Sequence, residues 1–167
     1  MSMIKSSEEP NARFAKLIAL LFYHMSHEMC KQLGKEKGKE AIRNAVTAFG
    51  AARVAAMKEE AAERGLSVTS NQTFHLVRDM PNPGYDGYWE GDTHHISYCP
   101  FHDLWKSYGP EGMEYGELYC EVDHVIFNGF NLALKRDHVL TVTGDYCEFN
   151  VSPVKSKECS HESKLAK

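Results

Sequence analysis

From Pro10 to Gln32, large apolar residues fall at Phe14, Leu17, Ile18, Leu21, Phe22, Met25 and Met29. This i, i+3, i+4, i+7 spacing is the period of an amphipathic helix, so the pattern predicts a helix with one buried stripe, stopped at Gly34. A second helical pattern runs from about Lys35 to Arg64, carries Ile42, Ala45, Val46, Phe49 and Val54 on one side, and meets Gly65 as its stop. Its many alanines and Gly50 leave room for a neighbour to approach closely.

After Gly65 the period changes. Thr73 to Val77 and Ile96 to Cys99 read as short strands, separated by the turn-rich run from Met80 to Gly87. Phe101 to Tyr108 and Tyr115 to Phe127 read as shorter helices, while His138 to Thr143 and Tyr146 to Val151 flank Gly144 and Asp145 as a hairpin. No internal repeat is present. Helices and strands in separate blocks predict an α+β fold: two long N-terminal helices packed on a small antiparallel sheet, with short additional helices. Residues 11–151 are expected to form one domain, between a flexible N-terminus (1–10) and a flexible charged tail (152–167).

Composition narrows the function classes. The chain of 167 residues is 43% hydrophobic and 25% charged, as ordinary globular domains are. A net charge of -4 with scattered lysines gives no footprint for nucleic acid. The longest apolar run, Leu17 to Tyr23, is far short of the roughly 20 residues that a spanning helix needs, and Met1 to Lys5 lacks the apolar core of a signal peptide. The expectation is a cytoplasmic protein without a membrane role. Five cysteines, an odd number, then point to reduced thiols rather than a disulfide framework, and leave the sequon at Asn71 without meaning.

Three of those cysteines stand beside polar or ionisable residues. They lie in Tyr98-Cys99-Pro100-Phe101-His102, in Tyr119-Cys120-Glu121-Val122-Asp123-His124 and in Asp145-Tyr146-Cys147-Glu148. If residues 117–127 are helical, Cys120, Asp123 and His124 share one face at i, i+3 and i+4. An imidazole beside a thiol lowers its pKa and accepts its proton, and a carboxylate orients water or a ring nitrogen, so the set suits attack on an sp² carbon. The plainer alternative is that Cys120 is a small buried hydrophobe and Asp123 a surface charge. The C-x-x-H spacing of Cys99 and His102 also suits one metal, with Cys120 and Cys147 completing a tetrahedral zinc site, although a second short-spaced ligand pair is missing. Cys147 is expected on the second strand of the terminal hairpin, facing away from Tyr146 and Glu148 as core filler or site wall.

Further candidates are weaker singly. Glu28 falls beside the apolar stripe of the first helix, where partial burial would suit an acid or base and solvent exposure an ordinary boundary charge. His94 and His95 alternate across a strand, so at most one enters a cleft; His95 is the candidate carried forward. The loop from Pro81 to Gly91, with Tyr85, Tyr88 and Trp89, is either a lid with an aromatic wall or a crossover packed on the core. Asn131 is either a substrate amide contact or simply a good turn residue. No Gly-rich phosphate loop appears, which counts against nucleotides.

The segments Tyr98-Cys99-Pro100-Phe101, Leu118-Tyr119-Cys120-Glu121-Val122-Asp123, Asn128-Gly129-Phe130-Asn131 and Gly144-Asp145-Tyr146-Cys147-Glu148-Phe149 resemble the L-2-amino-thiazoline-4-carboxylic acid hydrolase family. Where that family reads Gly-Phe-Asn-Pro the chain has Leu132 last, and His124 stands where an acid often follows the aspartate. The resemblance implies opening of a thiazoline ring at its amidine-like carbon by addition of water. A looser likeness to 4-vinyl reductase-type domains implies the same fold class with a cysteine-bearing cleft. The expectation is thus a hydrolase acting on a small C=N or C–N heterocycle, with Cys99, Cys120 and Cys147 around its pocket. It takes a small-molecule substrate and no cofactor, zinc being the alternative, with a homo-oligomer left open. The rivals are a non-catalytic small-molecule or metal sensor and an interaction module using the aromatic loop.

Overall fold

The computed structural model describes residues 4–68 and 70–154. The fold is α+β, with six helices and a four-stranded antiparallel sheet among the described residues. The helix α1 (Pro10–Leu33) begins where the Ala12 amide donates to Glu9 Oε2 at 2.8 Å, with Pro10 supplying the fixed φ of a first turn. Gly34, at φ +81°, turns the chain straight into α2 (Lys35–Glu63). The two helices then run closely packed: a Cβ on Gly38 would lie 2.5 Å from Cys30 Cα.

The buried face of α1 is only in part the one its large residues predict: Phe22 and Met29 pack against the core, but the rest of the stripe does not. Phe14, Leu17, Ile18, Leu21 and Met25 point outward, with Leu21 62% exposed, while Ala19 is 0% exposed. Ala12, Ala15, Ala19, Tyr23 and Ser26 face the core instead. Small residues let α1 approach α2 and α4 (Pro100–Lys106), and the Trp105 indole N–H on α4 donates to the Ala19 carbonyl at 3.0 Å. Lys16 is buried on the same side, where Glu8 at 3.0 Å and Asp103 at 2.7 Å neutralise it. On α2 the buried positions are Gly38, Ile42, Val46, Gly50, Met57 and Ala61, so Ile42 and Val46 are inside, whereas Ala45 and Phe49 are exposed.

Four further differences from the sequence pattern have local causes. Residues 73–77 are helical, within α3 (Asn71–Val77): Ser70 accepts from the Gln72 amide, and buried Thr73 and Val77 stand four apart. The aromatic loop contains β1 (Asp86–Glu90), which pairs antiparallel with β2 (Thr93–Tyr98) through a turn at Gly91, φ +59°. The single helix expected over 115–127 is two, α5 (Gly109–Cys120) and α6 (Val122–Gly129), divided at Glu121. The terminal hairpin pairs β3 (Leu132–Lys135) with β4 (Cys147–Pro153), and residues 138–143 form no strand, with a turn at 140–143.

The strand order is β1-β2-β4-β3. The core groups Trp105, Phe101, Leu104, Phe130, Ile42 and Leu118 under the long helices, and α6 packs on both α2 and β3 to join the helical layer to the sheet. Gly50 supports that junction, because a Cβ there would stand 2.9 Å from the Val125 Cβ of α6. At the ends of the chain, Arg13 binds the Ser6 carbonyl at 3.0 Å, and Ser152 and Pro153 close β4. The rest of the expected tail, residues 155–167, and residues 1–3 lie outside the described residues. No helix among the described residues is long and apolar enough to cross a membrane.

Candidate functional site

A cavity of about 630 Å³ opens between the helical half and the sheet. Its floor comes from the junction of α5 and α6, its sides from the N-terminal end of α4 and from α2, and its rim from the segment 78–82 and the β1–β2 hairpin. Cys99, Cys120 and Cys147 all line it, together with Asp123. Cys99 is placed by the β2-to-α4 turn that Pro100 starts, Cys120 by the last turn of α5, and Cys147 by the first residue of β4. The break at Glu121 does not separate Cys120 from Asp123, because Glu121 keeps helical φ and ψ (-62° and -20°) and both side chains line the cavity.

The organising ion pair was not anticipated from the sequence. Arg136, in the loop after β3, donates from Nη1 to Asp123 Oδ2 at 2.8 Å and from Nη2 to the Cys120 carbonyl at 2.7 Å. Burial pushes the Asp123 carboxyl above the ordinary aspartate range, against the opposing charges of Arg136 and Arg53. Its side chain remains 29% exposed, toward the cavity. Arg53 on α2 makes a second, bidentate pair with Asp79, at 2.8 and 2.6 Å.

All three thiols are held protonated at neutral pH. Burial pushes Cys99 up to about 12, although the backbone N–H groups of His102 and Phe101 stabilise its thiolate. Cys120 is raised well above the ordinary cysteine value, first by burial and then by the charge of Asp123. Cys147 is raised by burial even though the Leu140 amide donates to its sulfur at 3.3 Å. Arg136 offsets part of this cost, and a further cation beside Asp123 and Cys120 shifts the balance toward the charged forms, because it stabilises the thiolate and the carboxylate together.

Several candidates stand elsewhere. His124 is exposed and does not line the cavity, so the imidazole expected beside Cys120 is replaced there by the Arg136 guanidinium. Glu28 is exposed, bonded to Gln32 and Lys31, and its carboxyl is lowered by those bonds, the opposite of what an internal acid requires. Asn131 is exposed at φ +57°, a turn role. His95 is buried on the other side of β2, stacked 4.8 Å from Tyr88, while its neighbour His94 lines the cavity and stacks 4.6 Å from Trp89. Trp89 therefore does contribute an aromatic rim, on a strand instead of a lid loop. His102 does not line the cavity, and among the described residues no group of three or more His, Cys, Asp or Glu side chains is arranged to hold a metal ion, so the four-ligand zinc alternative is not assembled.

The residues that sequence reasoning missed here are Arg53, Arg78, Asp79 and Arg136, and of the histidine pair it carried forward His95 where His94 lines the cavity. Arg53, the adjacent pair Arg78 and Asp79, and Arg136 lie in three separate segments, and only the folding of α2, the 78–82 segment and the post-β3 loop around one cavity joins them. A second depression, lined by His27, Cys30, Lys31, Glu111 and Glu114, has its acids already paired, Glu111 with Tyr23 and Tyr115 and Glu114 with Lys35 and Lys39.

The fold is a small α+β domain with thiols, carboxyl groups and guanidinium groups around one cavity. The chain belongs to the L-2-amino-thiazoline-4-carboxylic acid hydrolase family, whose model matches residues 13–151. No curated protein and no solved structure matches it.

Proposed function

We propose that the protein hydrolyses a small cyclic amidine of the 2-amino-thiazoline-4-carboxylate kind, with Cys120 as nucleophile and Asp123 as its proton acceptor and donor. The observation that supports this most is the convergence of Cys120 and Asp123 on one cavity, with Arg136 fixing Asp123 Oδ2 and leaving Oδ1 outside the pair. The family name supports the reaction class.

An amidinium ring adds a second cation to the one Arg136 supplies. Its N–H donors meet the Asp123 carboxylate, and its charge lowers the cost of forming a Cys120 thiolate. The Cys120 proton passes to Asp123, and the sulfur adds to the amidine carbon. The ring C–S bond then breaks, and the departing thiolate takes the proton from Asp123. Water next gives a proton to Asp123 and attacks the same carbon. The bond to Cys120 breaks, the proton held by Asp123 returns to its sulfur, the protonated urea so formed gives up the proton the amidinium brought in to water, and a ureido acid with a free thiol leaves. Cys99 and Cys147 are walls of the site in this scheme, shaping it and excluding water.

The raised thiol pKa values favour one second reading, in which Asp123 activates water directly and no covalent bond to Cys120 forms. Thiazolines, imidazolines and cyclic amides assayed by gain of one water test both. Wild-type protein is expected to open the amino-thiazoline acid, and Cys120→Ser to lose about 100-fold or more of the rate. Full activity in Cys120→Ser with loss in Asp123→Asn moves the assignment to direct water attack. Failure of the wild type on every ring overturns the hydrolase reading.

A further inference from the structure

The charges around the cavity do not cancel. Three arginines line it, Arg53, Arg78 and Arg136, against two acids, Asp79 and Asp123. Arg53 is committed to Asp79 and Arg136 to Asp123. Arg78, the residue that ends α3, has no hydrogen-bond or ion-pair partner among the described residues and is solvent-exposed at the rim. It lines the same cavity as Trp89 and His94, and its charge acts on the ring of His94, whose basicity is lowered first by burial and then by Arg78. The charges that act most strongly on Asp123 are those of Arg136, Arg53 and His124 instead. The unspent positive charge thus sits at the Trp89–His94 end of the cavity, and the carboxyl group at the α5–α6 end.

We infer that Arg78 binds the carboxylate of the substrate, so that the cavity selects a small ring carrying an anionic group at one side and a cationic amidine at the other. Guanidinium and carboxylate match in shape and form a two-pronged, charge-assisted pair, which fixes orientation as well as adding affinity. The flat Trp89–His94 stack on the lining of the same cavity limits how the ring lies between the two ends. Arg78 is then a binding and specificity residue: it anchors the substrate while the amidine carbon is presented to Cys120. This rests on the hydrolase reading for the identity of the ring, but the requirement for an anion on the ligand follows from the charge count.

The test uses the full chain, 2-amino-thiazoline-4-carboxylate and its uncharged methyl ester, each followed by turnover and by calorimetric titration. Wild-type protein is expected to prefer the acid by tenfold or more in KM and in binding, and Arg78→Met to erase that preference, raising KM for the acid about tenfold with a much smaller change in kcat. Arg78→Lys is expected to recover part of it. A thermal melt matching wild type establishes that the Arg78 variants are folded, as an exposed and unpartnered side chain predicts. Equal handling of acid and ester by the wild type, unchanged acid binding in Arg78→Met, or no wild-type binding of the acid overturns the inference. Binding of the acid that is lost in Arg78→Met, without turnover by wild type, upholds the anion site and overturns only the hydrolase reading.

Discussion

Arg136 holds Asp123 at 2.8 Å and the Cys120 carbonyl at 2.7 Å, so one guanidinium ties the end of α5, the start of α6 and the loop after β3 into a single wall. The Arg136 side chain is only 5% exposed, and that depth is what makes the pair consequential. Removing one partner of a buried pair leaves the other charge uncompensated, at a cost of about 3–5 kcal/mol.

Arg136→Met is therefore expected to lower unfolding stability by about 3 kcal/mol in urea titrations at neutral pH, discounted within that range because Asp123 is partly open to the cavity. The sign with pH follows from Asp123. Without the guanidinium its carboxyl rises further, the native state retains a proton that the unfolded state releases, and stability falls as pH climbs from the unfolded aspartate value near 4 through the raised native value. The deficit of the variant should shrink in acid, as the carboxyl becomes neutral. An equal deficit at pH 4 and pH 7 contradicts this assignment.

The two faces of α1 make a second comparison. Leu21→Gln changes an outward residue and is expected to alter stability by less than about 0.5 kcal/mol, whereas Ala19→Leu forces bulk under Trp105 and is expected to cost about 1–3 kcal/mol. Thermal denaturation of both variants reads the difference. A larger loss for Leu21→Gln would mean that the large apolar stripe is the packed face.

The thiols supply a third. Burial penalises the thiolate, so at pH 7.5 iodoacetamide should label Cys99, Cys120 and Cys147 about tenfold or more slowly than free cysteine, whose pKa is about 8.5, with rates still climbing above pH 9. Peptide mass spectrometry resolves the three sites. Rapid labelling of Cys120 at neutral pH would show a thiolate already formed, and would remove the need for a substrate cation.

The contrast between α1 and the hairpin around β4 shows what the sequence made legible. The helix boundaries near Pro10 and Gly34 are written in capping and glycine chemistry that acts locally, and the α+β class follows from the change of period after Gly65. Which face of α1 is buried is not local. Ala12, Ala15 and Ala19 win because α2 and Trp105 fit against them, and hydrophobicity alone points to Phe14 and Leu21. The thiols were legible because each carries a polar neighbour within a few residues. Arg136 lies 13 residues from Asp123 and 16 from Cys120, and Arg53 lies 26 from Asp79, so no window of sequence contains either relationship. His124 misled because helical spacing places it near Cys120 without saying which of the two flanks of that face meets the cavity: Asp123 lines it, and His124 is exposed outside it.

The covalent bond to Cys120 is the most exposed step of the account. Wild-type protein mixed with 2-amino-thiazoline-4-carboxylate, quenched in acid during turnover and weighed intact, should show a species heavier by one whole substrate molecule, and digestion should place the added mass on the peptide containing Cys120. Asp123→Asn should show the adduct formed more slowly, since the acceptor of the thiol proton is gone. Turnover at the wild-type rate by Cys120→Ser, with no adduct on any cysteine, would contradict the claim.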